Sequence, residues 1–297
     1  MRIKINMLLM FFVCVVPYTQ AQELFGRDET TLSDHWDLGD GENDDKNLFV
    51  IRTYKPVYVL LGKVSNNVNR MPHSANPDRN IDEPIPLNKT EQMFQLSLKT
   101  KVVNDFFGGA IWVGYTQASF WQVFNTDLSR PFRETNYEPE TMFILPVHYR
   151  LFGLDGVFLG LGFNHQSNGR ANPLSRSWNR IVAQVALEGK NTSVVFKPWW
   201  RLPETAAEDD NPGIENYMGR SELLVNWGKG VHAINCTARH SLRFGDNNRG
   251  SIRIAYSIKI INNLKFRAQV FSGYGESLID YNHRQTVVGV GLSLVDW

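Results

Sequence analysis

The feature that most constrains the fold is a strict alternation of apolar and polar residues, repeated in segments of similar length. In the clearest segment, residues 250–261, Ile252, Ile254, Tyr256, Ile258 and Ile260 fall on one face of a strand. A period of two predicts a β-strand with one apolar face. Each segment is close to the roughly ten residues that a tilted strand needs to cross a bilayer. The twelve segments are 56–64, 91–103, 108–119, 141–152, 155–167, 178–188, 192–202, 216–228, 231–243, 250–261, 265–274 and 285–297.

The connections between these segments alternate in length. The long ones lie near residues 65–90, 120–140, 168–177, 203–215, 244–249 and 275–284, and the short ones near 104–107, 153–154, 189–191, 229–230 and 262–264. Short periplasmic turns and long extracellular loops are typical of outer-membrane barrels. The sequence therefore predicts an all-β fold, a twelve-stranded antiparallel transmembrane β-barrel over residues 56–297, with both chain ends in the periplasm.

The residues before the barrel indicate export. Arg2 and Lys4 precede an apolar run, residues 7–16, that is too short to span a bilayer as a helix, so residues 1–21 are predicted to be a signal peptide cleaved after Ala21. Residues 22–55 are acidic and are expected to form a solvated periplasmic segment. No later run of 18 apolar residues exists, which excludes a helical membrane span.

The composition narrows the functional classes further. Lys and Arg together number 31 and Asp and Glu 30, and this balance argues against a nucleic-acid partner. The mean hydropathy of −0.29 is compatible with a barrel, in which only alternate residues face lipid. Loss of Cys14 with the signal peptide leaves Cys236 as the only cysteine, so no disulfide within the chain is expected.

One segment places reactive side chains on its apolar face. In residues 155–167 the apolar side chains Val157, Leu159, Leu161 and Phe163 share a parity, which His165 and Ser167 continue. Residues two apart on a strand point the same way, about 6.5 Å apart at their Cα atoms. A general base and a nucleophile therefore stand side by side on the face expected to meet lipid, where polar groups are costly.

The next segment offers a third polar residue. If Phe163 pairs with Ile181, the antiparallel register puts Asn179 opposite His165. The Asn179 carbonyl could then accept the imidazole N–H and fix its tautomer, which is the third role in a hydrolase triad. Polar residues near a loop are also ordinary, and a lone His-x-Ser occurs by chance. The pattern alone leaves the catalytic and the purely structural interpretations open.

A resemblance favours the catalytic interpretation. Residues 162–170, Gly-Phe-Asn-His-Gln-Ser-Asn-Gly-Arg, and 175–180, Ser-Arg-Ser-Trp-Asn-Arg, resemble the active-site signature of the outer-membrane phospholipase A family. Residues 131–139, 115–117 and Trp121 also resemble that family. The resemblance implies a calcium-dependent phospholipase A1/A2 with lysophospholipase activity, whose nucleophile is Ser167, whose base is His165 and whose orienting residue is Asn179.

The same resemblance implies further roles. The backbone N–H of Gly169 would contribute to an oxyanion hole, and Tyr137 would line the acyl-chain pocket. A Ca²⁺ ion would bind at the interface of a homodimer, through Arg170 and Ser175 of one subunit and Ser129 of the other.

Gln117 suggests a dimer for a separate reason. It shares the parity of Val113 and Tyr115 on the expected lipid face, where a lone amide is costly unless a partner's amide pairs with it across a two-fold axis. The alternative is that Gln117 lies near the lipid headgroups, and both interpretations stay open.

Two other functions fit the barrel. A non-enzymatic pore or adhesin would have the same strands and loops, but it gives no reason for His165, Ser167 and Asn179 to share the lipid face. An outer-membrane protease or deacylase would use the same wall with a different substrate pocket. We therefore expect a bacterial outer-membrane enzyme that acts on membrane phospholipids at the outer leaflet.

Overall fold

The structure is a computed structural model that describes residues 31–38 and 47–296. The predicted signal peptide and Trp297 lie outside these residues. One short helix, α1, spans Leu32–Trp36, and 3-10 turns span Pro77–Arg79, Ile214–Asn216 and Gly245–Asn247. The described residues form thirteen strands: β1 Arg52–Thr53, β2 Val57–Ser65, β3 Thr90–Phe106, β4 Gly109–Trp121, β5 Glu134–Leu151, β6 Leu154–Ser167, β7 Ser177–Gly189, β8 Thr192–Arg201, β9 Ser221–Lys229, β10 His232–His240, β11 Gly250–Ile261, β12 Leu264–Tyr274 and β13 Arg284–Val295.

Strands β2 to β13 close into a barrel. Each pairs antiparallel with its neighbours in the chain, and β13 pairs with β2 to complete the ring. The two-residue strand β1 extends the wall by pairing with β3 just before the start of β2. The predicted twelve-stranded antiparallel barrel is therefore confirmed. Among the described residues, no helix has the length and apolarity needed to cross a membrane.

The two ends of the barrel differ as the alternating connections predict. At one end, five turns of two residues each join β3–β4, β5–β6, β7–β8, β9–β10 and β11–β12. In the β5–β6 turn, Phe152 and Gly153 both have positive φ, which is the conformation of the tight turn that suits the twist of a hairpin. All the long loops gather at the other end, called the long-loop end below.

Two strand starts differ from the prediction by five residues or more, and the other limits lie within three residues of it. β5 begins at Glu134 rather than at residue 141, and β9 begins at Ser221 rather than at residue 216. The added part of β5 carries Glu134, Asn136 and Glu138 on its inner face. Its outward positions are Thr135, Tyr137 and Pro139, so the run of aliphatic residues that marks the rest of the strand is missing there.

Residues 31–38, the described part of the acidic segment before residue 47, pack against the barrel. The helix α1 docks inside the short-turn end of the barrel, where the Leu32 N–H and the Ser33 hydroxyl both donate to the Glu188 carboxylate at 2.8 Å. Trp36 is 3% exposed and packs against Trp112 and Phe158, with ring centroids 5.5 and 5.2 Å away. The acidic composition gave no sign of two apolar side chains, Leu32 and Trp36. Their burial stabilises the docking of α1 in the barrel.

Between α1 and the long-loop end, the barrel interior is polar and cross-linked by ion pairs. Glu138 forms ion pairs with Lys55 and with Arg180, each at 3.0 Å, and Glu222 forms one with Arg239 at 2.8 Å. The outer faces of the strands are apolar, as shown on β6 by the exposed side chains of Leu159, Leu161 and Phe163. This inside-out pattern is the one expected of a barrel that faces lipid.

Candidate active site on the barrel wall

Strands β6 and β7 bring the three predicted catalytic side chains together at the long-loop end. Phe163 pairs with Ile181, so His165 lies directly opposite Asn179, as the parity of the strands predicts. Ser167 is two residues beyond His165 and ends β6. All three continue the outward apolar face of their strands, and each is half-buried.

The geometry between His165 and Asn179 fixes a direction for proton transfer. The Nδ1 atom of His165 lies 2.8 Å from Oδ1 of Asn179. Because an amide oxygen can only accept, Nδ1 must carry the hydrogen and donate it. The opposite ring nitrogen, Nε2, is therefore the one left with a lone pair, and it is the atom able to take a proton from the Ser167 hydroxyl.

The loop after Ser167 is held by one buried side chain. The amide of Asn168 donates to the Leu174 carbonyl at 2.8 Å, and its Oδ1 accepts from the Arg176 N–H at 2.9 Å. The same amide group also lies 3.3 Å from the buried carboxylate of Glu134. These bonds fix the path of the chain through Gly169, whose N–H is the proposed oxyanion donor.

Tyr137 lies beside this loop. It pairs with Ser167 across the β5–β6 ladder, and a Cβ placed on Gly169 would sit 3.0 Å from its ring. The structure therefore brings Tyr137, Ser167 and Gly169 into one patch of the outer wall. An aromatic ring beside the nucleophile offers an apolar surface to an acyl chain.

The inner face of the same hairpin is rigidly braced. Trp178 is fully buried and donates from Nε1 to Gln166 at 2.8 Å. The guanidinium of Arg180 lies 4.0 Å from the centre of the Trp178 ring and also binds Glu138. Because these inner residues alternate with the site residues along β6 and β7, fixing them also fixes the outward side chains.

The residues that the resemblance implies as calcium ligands lie in the loops next to this hairpin. The Ser175 hydroxyl donates to Oδ2 of Asp210 at 2.6 Å, and the guanidinium of Arg170 binds the Arg133 carbonyl. The Ser129 carbonyl accepts from the Trp121 indole at 2.8 Å. Ca²⁺ prefers hydroxyl, carbonyl and carboxylate oxygens, so the backbone carbonyls and serine hydroxyls of these residues fit the ion, whereas the Arg170 guanidinium does not. Within residues 31–38 and 47–296, no group of three or more His, Cys, Asp or Glu side chains forms a metal cluster.

Gln117 lies in the same row of the wall as the proposed nucleophile. It pairs with Tyr137, and Tyr137 pairs with Ser167. Its amide already has partners within β4, since Oε1 accepts from the Tyr115 hydroxyl at 3.0 Å and Nε2 donates to the Ser119 hydroxyl at 3.2 Å. The amide therefore does not require a second subunit, and its place in a dimer interface is still a prediction.

Sequence reasoning missed two acidic residues near the site. Asp210 contacts Ser175, and Glu204 accepts a hydrogen bond from the Asn179 amide at 3.2 Å. Both belong to the long loop between β8 and β9. The acidic run at residues 208–210 was a usable signal, because a charged loop next to the catalytic hairpin at the long-loop end can reach the site.

Residues 32–294 match the family described as Phospholipase A1. The chain is 40% identical over 210 residues to phospholipase A1 of Escherichia coli, which covers 70% of this chain and 71% of that protein. It is 37% identical over 277 residues to a putative phospholipase A1 of Neisseria meningitidis, which covers 90% of this chain and 70% of that protein.

Solved structures show the same fold. Outer membrane phospholipase A of Escherichia coli superposes with a TM-score of 0.74 at 33% identity, covering 86% of this chain and 95% of that chain. The outer membrane phospholipase of Salmonella typhi, solved as a dimer with bound calcium, gives a TM-score of 0.75 at 34% identity, covering 85% and 95%. The alternative of a non-enzymatic pore or adhesin is therefore wrong. The chain belongs to the phospholipase A1 family and is an outer-membrane β-barrel enzyme.

Proposed function

We propose that this chain is a calcium-dependent phospholipase that hydrolyses acyl esters of phospholipids and lysophospholipids by means of Ser167, His165 and Asn179. The observation that supports it most directly is the bond of 2.8 Å from His165 Nδ1 to Asn179 Oδ1 on the outward wall, with Ser167 two residues away on the same face. A membrane lipid beside this wall meets the nucleophile directly.

The residues have distinct roles in acyl transfer. His165 Nε2 takes the Ser167 proton as Oγ attacks the ester carbonyl, and Asn179 holds the imidazolium that forms. The Gly169 N–H stabilises the oxyanion of the tetrahedral intermediate. His165 then gives the proton to the leaving lipid alcohol. In the second half, His165 activates a water that hydrolyses the acyl ester on Ser167 and releases the fatty acid.

The proposed calcium site uses oxygen atoms of Arg170 and Ser175 in one subunit and of Ser129 in the partner subunit. When bound, the ion supplies positive charge that stabilises the developing oxyanion. The dimer of the Salmonella typhi relative with bound calcium supports this arrangement. We also propose that Tyr137 lines the acyl-chain pocket, that Gln117 lies in the dimer interface, and that the site works at the outer leaflet.

Replacing Ser167 tests the proposal. In Ser167→Ala, release of fatty acid from phosphatidylcholine in detergent micelles with calcium should fall at least ~10³-fold, because the nucleophile is lost. Ser272→Ala is the matched control, since Ser272 faces outward near the long-loop end of β12, far along the chain from the hairpin. Retained hydrolysis in folded Ser167→Ala would contradict the proposed triad.

A further inference from the structure

A loop residue, Glu204, contacts the orienting asparagine from the side opposite His165. β7 and β8 pair up to Arg180 and Arg201, and the bond of 2.9 Å from the Leu202 N–H to the Asn179 carbonyl continues this register past the end of β8. The chain then turns, and Glu204 Oε1 accepts from Asn179 Nδ2 at 3.2 Å. The strand register therefore delivers this carboxylate to Asn179.

The second oxygen of the Glu204 carboxylate accepts no hydrogen bond within the described part of the chain, and its ion pair with Arg201 is long. Its Oε2 is buried and has no hydrogen-bond partner among the described residues. Arg201 lies 3.8 Å from it, but the same guanidinium is closer to Asp209, at 2.7 Å, and to Glu215, at 3.3 Å. Burial raises the pKa of Glu204, Asp209 raises it further, and Arg201 opposes both. Arg201 and the hydrogen bond from Asn179 are the contacts that offset the burial of the Glu204 carboxylate. So few contacts favour a role for Glu204 other than stabilising the loop.

We propose that Glu204 is a positioning residue for catalysis, an inference that rests on the proposed function of the Ser167–His165–Asn179 site. A side-chain amide can turn over and present either its oxygen or its NH₂ group to a neighbour. A carboxylate only accepts hydrogen bonds, so Nδ2 of Asn179 must face Glu204. That leaves Oδ1 facing His165, which is the only orientation that can receive the Nδ1 hydrogen.

Glu204 also supplies the charge that Asn179 lacks. The imidazole becomes positive when it takes the Ser167 proton, and a neutral amide offers only a dipole to stabilise it. A carboxylate bonded to the NH₂ group of that amide polarises it and places a negative charge one residue away from the imidazolium, in surroundings that exclude part of the water. Two hydrogen bonds then join His165, Asn179 and Glu204 in sequence, and Ser167 follows two residues beyond His165 on the same face.

The first test removes the charge and keeps the shape. In Glu204→Gln, kcat for phosphatidylcholine in micelles with saturating calcium should fall about tenfold with KM changed by less than about twofold, because the lost interaction acts on the transition state. Glu204→Asp, which keeps the charge, should recover part of the loss. Glu208→Gln is the matched control, since Glu208 lies exposed in the same loop and accepts from the Thr205 hydroxyl.

In the second test, the effect of Glu204→Gln on activity should change from a loss to a gain, which a merely structural role would not produce. Asn179→Asp puts two carboxylates in contact, and like charges disfavour each other, so activity should fall roughly a hundredfold. Adding Glu204→Gln to that variant gives the introduced aspartate a neutral partner able to donate, and activity should rise at least about tenfold. The same substitution thus harms the native chain and helps the variant.

The outcomes separate this inference from the proposed function. If Ser167→Ala keeps activity, the triad itself is wrong. If Ser167→Ala is inactive while Glu204→Gln matches Glu208→Gln, only the role of Glu204 is overturned. A loss in Glu204→Gln that disappears when calcium is raised further would also overturn it, because the effect would then come from the neighbouring loop residues that include Asp210. Each variant is compared only as a folded barrel. Folding is checked by the electrophoretic mobility of the variant before and after heating.

Discussion

Gly169, whose N–H is the proposed oxyanion donor, has a positive φ and lies close to Tyr137 of the proposed acyl pocket. Its φ is +61°, and an added Cβ would lie 3.0 Å from the Tyr137 ring. Gly169→Ala should therefore strain the backbone and displace either the N–H or the ring, lowering kcat by at least about tenfold. Steady-state hydrolysis in micelles measures this.

Gly153→Ala is the control for backbone strain alone. Gly153 has φ +81° in the β5–β6 turn, and an added Cβ there meets no atom within 4 Å. It should cost some stability and leave kcat unchanged. Equal losses of kcat in the two variants would show that the effect at Gly169 is general strain and not a displaced oxyanion donor.

Residues of the site differ in how far the sequence could predict them. The contact of His165 with Asn179 followed from two rules, the alternation of faces along a strand and the pairing of Phe163 with Ile181. Glu204 and Asp210 could not be placed in the same way. They belong to a loop whose path depends on tertiary contacts, such as the bond from Arg79 to Asp210, and no periodic pattern encodes these.

At the scale of the strands, β6 and β7 place the chemistry outside and the bracing inside. Arg180 illustrates the bracing, because Nη2 binds Glu138 and also the Asn164 side chain. Arg180→Leu would leave these buried oxygens with fewer partners and should lower the free energy of unfolding by about 3 kcal/mol. Urea unfolding of the folded barrel in lipid vesicles, followed by tryptophan fluorescence, measures the change.

The matched control is an exposed ion pair in the same wall. Arg150 and Asp155 lie 4.0 Å apart near the β5–β6 turn, and each side chain is 75% exposed. Because water screens such a pair, Arg150→Leu should change the free energy of unfolding by less than about 0.5 kcal/mol. If both variants unfold alike, the inner network does not set the stability of the wall.

The strands themselves were the most predictable part of the fold, and their rims the least. All twelve barrel strands were anticipated because lipid on one side and a polar interior on the other impose the same alternation throughout. The start of β5 was missed because Glu134 and Asn136 lie above the apolar band, where neither face has to be apolar. The docking of α1 was missed because two apolar anchors, Leu32 and Trp36, lie within an acidic segment.

For the whole molecule, ion pairs brace the barrel interior and the proposed site faces outward. Trp36 packs against β4 and β6 near the short-turn end, and ion pairs brace the middle of the barrel. The row of Gln117, Tyr137 and Ser167 faces outward on one side. We therefore expect the proposed activity to be controlled from outside the barrel, through the proposed calcium ion, lipid and the proposed second copy of the chain.

This arrangement predicts how activity depends on protein concentration and calcium. At fixed detergent and saturating calcium, the rate should rise more steeply than in proportion to protein, because the proposed calcium site takes ligands from two subunits. Chelation by EGTA should abolish hydrolysis. Ser175→Ala should raise the calcium needed for half-maximal rate about tenfold, since one ligand is lost. Ser272→Ala should leave it unchanged. A rate strictly proportional to protein and indifferent to EGTA would mean that one subunit suffices and that the oxyanion is stabilised by the chain alone.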